Sequence, residues 1–93
     1  MIACDGGRCT VQGPMTLDNV VELLAQGNGQ FTASEVTVDL AAVTEVDSAA
    51  LSVLLEWRRE AGRNGRAIRY LNLPANLKSL AELYGIIELL SEV

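Results

Sequence analysis

Residues 38–51, Val38-Asp39-Leu40-Ala41-Ala42-Val43-Thr44-Glu45-Val46-Asp47-Ser48-Ala49-Ala50-Leu51, carry the chain from a strand through a short connection straight into a helix. Upstream, Glu35 to Leu40 sets Val36, Val38 and Leu40 against Thr37 and Asp39, the period-two pattern of a strand with one apolar and one polar face. Ala41 to Val46 reads as the connection. Ser48 then stands where an N-cap hydroxyl can accept from a backbone N–H, and Asp47 lies beside the positive end of the helix dipole. From Ala49 to about Arg63 the composition is helical, and Asn64-Gly65 supplies the stop. Along this helix Ala50, Leu54, Trp57 and Ala61 form the face suited to a sheet, with Leu51, Val53 and Leu55 on its flanks. Trp57 reads as core, and neighbouring helices are expected to cover Val53 and Leu55.

Working outward, Ile2–Cys4 and Arg8–Gln12 predict a hairpin turning at Gly6-Gly7, with Ile2, Cys4, Cys9 and Val11 on one face and Ala3, Thr10 and Gln12 on the other. Thr16 is the expected cap of a first helix whose stripe is Leu17, Val20, Val21 and Leu24; Gly27 ends it, and Gly27-Asn28-Gly29 is a loop. Arg66 to Leu71 is a further strand carrying Ile68 and Tyr70 on one face. Asn76 is the expected cap of a helix bearing Leu77, Leu80, Ala81 and Tyr84 and ended by Gly85, with a last turn over Ile86 to Leu90. The element order β-β-α-β-α-β-α-α defines an α/β fold: a four-stranded mixed sheet, parallel across its helical crossovers, with helices mainly on one face because every strand alternates.

The 93 residues make a single domain, 1–93, and 49% hydrophobic content suffices for a core built from aliphatic side chains. Twelve acidic residues against seven basic ones, a net charge of -5, exclude nucleic acid as a partner. Arg58, Arg59, Arg63 and Arg66 cluster, but beside Glu56 and Glu60 they read as a solvated helix face. The opening MIACDGGRCT reaches charge and glycine too soon for a secretory signal, and no apolar run is long enough to insert in a membrane, so a cytoplasmic protein is expected. The hairpin register allows a Cys4–Cys9 disulfide, while the cytosolic setting favours two buried thiols.

Catalytic groups are scarce. The chain has no His, no Cys-x-x-Cys and no glycine-rich loop leading from a strand into a helix, so it reads as a non-enzyme without metal or cofactor. Asp39, Glu45 and Asp47 are near in sequence but lack the second half of a site.

The Val-Asp-Leu strand at 38–40, the Val-Asp-Ser-Ala-Ala-Leu turn at 46–51 and the Leu54-Leu55-Glu56-Trp57 helix resemble the STAS domain family over nearly the whole chain. Leu54-Leu55-Glu56-Trp57-Arg58-Arg59, Asn72-Leu73-Pro74-Ala75 and Leu80-Ala81-Glu82-Leu83-Tyr84-Gly85 resemble its MlaB-like branch, the small subunit of bacterial Mla phospholipid ABC transporters. The resemblance implies an accessory subunit that binds the transporter's ATPase subunit, is held peripherally at the inner membrane through that partner, and supports outer-membrane lipid asymmetry. The implied contact is Asp47, Ser48, Ala49, Ala50 and Leu51. The alternative is a partner-switching regulator like the anti-sigma factor antagonists, which carry Asp-Ser-Ser-Gly-Leu at this turn and are phosphorylated on the second serine. Here that position is Ala49, which leaves Ser48 as the acceptor for any such phosphorylation, and Ala50 replaces the usual glycine. A homodimer is compatible with the sequence.

Overall fold

The computed structural model describes residues 1–90, apart from the side chain of Leu89. Its elements are β1 (Ile2–Asp5), β2 (Arg8–Met15), α1 (Val20–Gln30), β3 (Glu35–Val46), α2 (Ser48–Arg63), β4 (Ala67–Leu71), α3 (Ala75–Leu83) and a terminal 3-10 turn, Ile87–Leu90. The four strands lie in the order β1-β2-β3-β4, antiparallel between β1 and β2 and parallel thereafter. Both parallel crossovers step the same way across the sheet, so right-handed connections put α1 and α2 on the same face. The expected fold is the observed one.

Alternation decides which face is covered. Ile2, Cys9, Val11, Met15, Val36, Val38, Leu40 and Tyr70 point under the helices, where Leu23, Leu54, Trp57, Leu77 and Leu90 meet them. The opposite face presents Asp5, Arg8, Thr10, Thr37, Asp39 and Arg69. Tyr70 brings a hydroxyl into the core and satisfies it there: the phenol donates to the Leu54 carbonyl at 2.6 Å, and burial pushes its pKa up.

Several boundaries differ from the sequence reading. The stretch Ala41–Val46 is strand, not connection. Against β2, Thr10 pairs with Asp39 but Gln12 with Ala42, and Gly13 pairs with Val43 but Met15 with Val46, so β3 carries an extra residue at each of two irregularities. Its inward positions accordingly run 36, 38, 40, 43, 46, and the period-two signal is lost where the strand bulges. β2 likewise continues through Gly13-Pro14 to Met15. Proline is tolerated because the pairing of β1 stops at Met1 with Gln12, which leaves that side of β2 open.

Thr16 does not cap α1. Residues 16–19 form a turn braced by Asn19, whose Oδ1 accepts from the Thr16 N–H at 2.8 Å and whose Nδ2 donates to the Pro14 carbonyl at 2.6 Å. Leu17 therefore sits off the helix and is 75% exposed, and Val21 also faces outward. Gly27 lies inside α1 rather than ending it, and Asn28 and Gly29 are helical too. A methyl group at 27 would overlap the indole of Trp57. Glycine is there to let α1 approach α2, and Phe31 completes the contact edge-on to Trp57 with centroids 5.1 Å apart. Asn76 is likewise within α3, whose N-cap is Pro74.

Cys4 and Cys9 are joined as a disulfide, against the expectation of two thiols. Met1 and Gln12 exchange both backbone hydrogen bonds, so alternate pairs along the hairpin do the same, and Cys4/Cys9 falls in a non-hydrogen-bonded register with Cα atoms 4.0 Å apart. In that register two side chains on one face are brought within bonding reach. At the outer edge of β1 the Ile2 N–H donates to Gln26 Oε1 and the Ile2 carbonyl accepts from Gln30 Nε2, both at 3.1 Å, so α1 closes part of a sheet edge.

On the exposed face of α2, Arg59 pairs with Glu56 at 2.9 Å and Arg63 with Glu60 at 2.7 Å, the solvated charge ladder read from the sequence.

Candidate functional site: an apolar groove at the start of α2

The start of α2 is built around Asp47. Its Oδ1 accepts from the Ala49 N–H at 2.8 Å, and its Oδ2 accepts from the Leu17 N–H at 3.0 Å. Asp47, not Ser48, is therefore the N-cap, and the same carboxylate ties the Thr16–Asn19 turn to the helix. Ser48 becomes the first helical residue. It is exposed, and its hydroxyl makes no hydrogen bond among the described residues.

Across from this corner, α3 ends in a Schellman turn. The Gly85 N–H donates to the Glu82 carbonyl and the Ile86 N–H to the Ala81 carbonyl, with Gly85 at φ 72°. The turn throws Tyr84, 57% exposed, and Ile86 toward α2. Between the two corners lies an open groove of about 560 Å³ lined by Leu17, Asp47, Ser48, Ala49, Leu51, Ser52, Leu55, Tyr84 and Ile86.

Four of the five contact residues inferred from the sequence, Asp47, Ser48, Ala49 and Leu51, line this groove. Ala50 does not: it is fully buried and turned to the core, which also explains why a methyl group is accommodated where related turns carry glycine. Leu17, Ser52, Leu55, Tyr84 and Ile86 also line it, although by sequence pattern Leu17 and Tyr84 read as helix-stripe positions, Leu55 as a covered flank, Ile86 as part of the last turn and Ser52 as a residue without a role. Leu55, expected beneath a neighbouring helix, is half-buried and faces the groove. The missed signal for Leu17 was Asn19, a better cap residue standing three positions after Thr16.

The acidic residues do not converge. Asp39 and Asp47 are separated by roughly 25 Å of extended strand. Asp39 lies on the open sheet face, where its Oδ1 accepts from the Ala41 N–H at 2.9 Å and from Asn72 Nδ2 at 3.1 Å, and its Oδ2 from Arg8 at 3.4 Å. The Ala41 amide, then Asn72, with Arg8 adding to them, hold this carboxyl below its ordinary pKa against a small opposing effect of desolvation. Asn72 takes a positive φ of 58° at the end of β4, which lets it reach back to Asp39. Glu45 is exposed. Among the described residues no three His, Cys, Asp or Glu side chains gather as metal ligands, and no helix is long and apolar enough to cross a membrane.

The architecture is shared with solved structures. A sulfate transporter family protein from Wolinella succinogenes superposes with a TM-score of 0.73 at 16% identity, over 99% of this chain and 76% of that one. The anti-sigma factor antagonist SpoIIAA in its unphosphorylated form gives 0.67 at 12% identity, over 89% and 81%. The phosphorylated form of SpoIIAA, described as a Bacillus cell fate determinant, gives 0.69 at 13% identity, over 92% and 83%. At these identities the likeness is one of fold. Comparison with curated protein sequences gives no match. The family profile described as "Mlab, STAS domain" does match, over residues 5–91, and the chain belongs to this family of STAS domains.

Proposed function

We propose that this chain is a non-enzymatic accessory subunit that docks on the ATPase subunit of an ABC-type phospholipid transporter through the groove at the start of α2. The observation that carries this reading is the groove itself: an open, largely apolar cleft of about 560 Å³ centred on the Asp47–Leu51 stretch, with Leu17 and Tyr84 exposed on its rim. Exposed apolar surface of this kind is what a protein partner covers. Ala49, without a hydroxyl, makes the surface a permanent contact in place of a phosphorylation switch. The chain works in the cytoplasm, held at the inner membrane by its partner, and serves outer-membrane lipid asymmetry. By binding one conformation of the ATPase better than another, it shifts the population of that conformation by no more than the difference in affinity.

Co-purification of the cognate ATPase with the intact chain, Ser48→Arg and Ala49→Arg tests the reading. Both substitutions put a long cation into the groove and leave Asp47 to cap the helix, so both are expected to lose the ATPase while keeping a native circular dichroism spectrum. Undiminished recovery with folded Ala49→Arg would remove the groove from the interface.

A further inference from the structure

We infer that the Cys4–Cys9 bond is a reversible redox latch on β1, opened by a dithiol that attacks Cys4. β1 is a four-residue edge strand that pairs as a strand with β2 alone. Its first half is held independently of the disulfide: Ile2 is buried in the core, and Gln26 and Gln30 of α1 bind its backbone N–H and carbonyl. Its second half lacks such a hold. Cys4 and Cys9 face each other in the non-hydrogen-bonded register, so at that level of the ladder the S–S bond takes the place of a backbone hydrogen bond between the strands. The outward N–H and carbonyl of Cys4 have no backbone partner among the described residues, and Asp5 and Gly6 beyond it are exposed.

The two cysteines are not equally open to attack. Cys9 is 1% exposed beneath the helices, whereas Cys4 is half-buried on the edge strand. A thiolate of the dithiol therefore forms a bond to the Cys4 sulfur, and the Cys4–Cys9 bond breaks with its electron pair leaving on Cys9, which takes up a proton. The second thiolate of the dithiol then displaces Cys4, so the dithiol is oxidised to its own disulfide and the chain is reduced by two electrons. Closure runs the same two steps backward with a disulfide as oxidant, and the register keeps the two thiols opposite one another. Once the latch is open, Arg8 and Thr10 lose the covalent clamp between their bonds to β1, and the free side of β2 extends back from Pro14 towards the turn. The cytoplasm of the proposed function is a setting where disulfides are transient and redox-sensing, although the latch itself is independent of location.

Alkylation and amide hydrogen exchange on the purified full chain, both under native conditions, test the latch. Treatment with dithiothreitol is expected to yield two alkylated cysteines by intact mass, while the circular dichroism spectrum stays native. Glutathione disulfide should add glutathione at Cys4 in Cys9→Ser roughly tenfold faster than at Cys9 in Cys4→Ser, because only the first sulfur is accessible. Reduction should speed exchange over residues 1–12, relative to residues 35–71, on the order of tenfold, and low urea should leave the faster hairpin rates unchanged, as for a local opening. Cys4→Ser combined with Cys9→Ser should show the same fast hairpin without any reductant. Thiols that react only in denaturant, equal glutathione rates at the two positions, or a hairpin and sheet centre that accelerate together would each overturn the inference.

Discussion

Removing the Asp47 carboxylate should cost far more than removing the neighbouring Ser48 hydroxyl, although the sequence alone points to the serine as the cap. Asp47 makes two bonds to backbone N–H groups, one to Ala49 within α2 and one to Leu17 in the preceding turn. The cap contributes about 1 kcal/mol, and the partly exposed bond to Leu17 adds about 1 kcal/mol more. Asp47→Ala is thus expected to lose about 2 kcal/mol, a fall in Tm of roughly 8–16 °C for a domain of this size. Asp47→Asn keeps one good acceptor for the cap and turns an amide NH2 toward the second N–H, so it should lose about half as much. Ser48→Ala removes a hydroxyl without a partner and improves helix propensity by a few tenths of a kcal/mol, so it should stay within about 0.5 kcal/mol of the parent. Urea titrations of the four proteins, with equal m-values as the check on two-state behaviour, decide the matter. A Ser48→Ala loss equal to that of Asp47→Ala would refute the assignment of the cap.

Other consequences follow from the same geometry. Gly27→Ala improves helix propensity by about 1 kcal/mol, but its methyl group meets Trp57 and Phe31. The variant should therefore be less stable by about 1–3 kcal/mol in thermal unfolding, and a gain would show that α1 and α2 do not meet there. Because the pKa of Asp39 is lowered on folding, its contribution is complete above the unfolded carboxylate value of about 3.8 and is lost as pH falls through the lower folded one. Urea midpoints below pH 4 should therefore drop less steeply in Asp39→Asn than in the parent, and parallel slopes would count against the Asp39 bonds. Cys4 and Cys9, five positions apart, close a short loop, so reduction should cost roughly 2 kcal/mol by chain entropy. Thiol titration in denaturant should find none before reduction and two after it, and two free thiols in the unreduced protein would contradict the bond.

The sequence by itself determined the fold class, the element order and the covered face of the sheet, because these rest on local periodicity. Val36, Val38 and Leu40 alternate whatever lies beside them, and so do the hairpin residues around Gly6-Gly7. It also located half of the groove, since a helix start following a strand is written in consecutive residues, Asp47 to Leu51. Tertiary structure decided the rest. Where β3 bulges against β2, periodicity fails, and the strand is recognisable only by its partner. Gly27 reads as a helix stop until Trp57 is packed against it. The cap passed from Ser48 to Asp47 because a second N–H, thirty residues away at Leu17, fixes the carboxylate. The far wall of the groove, Tyr84 and Ile86, depends on a Schellman turn docking α3 beside α2, a long-range juxtaposition that no local pattern encodes.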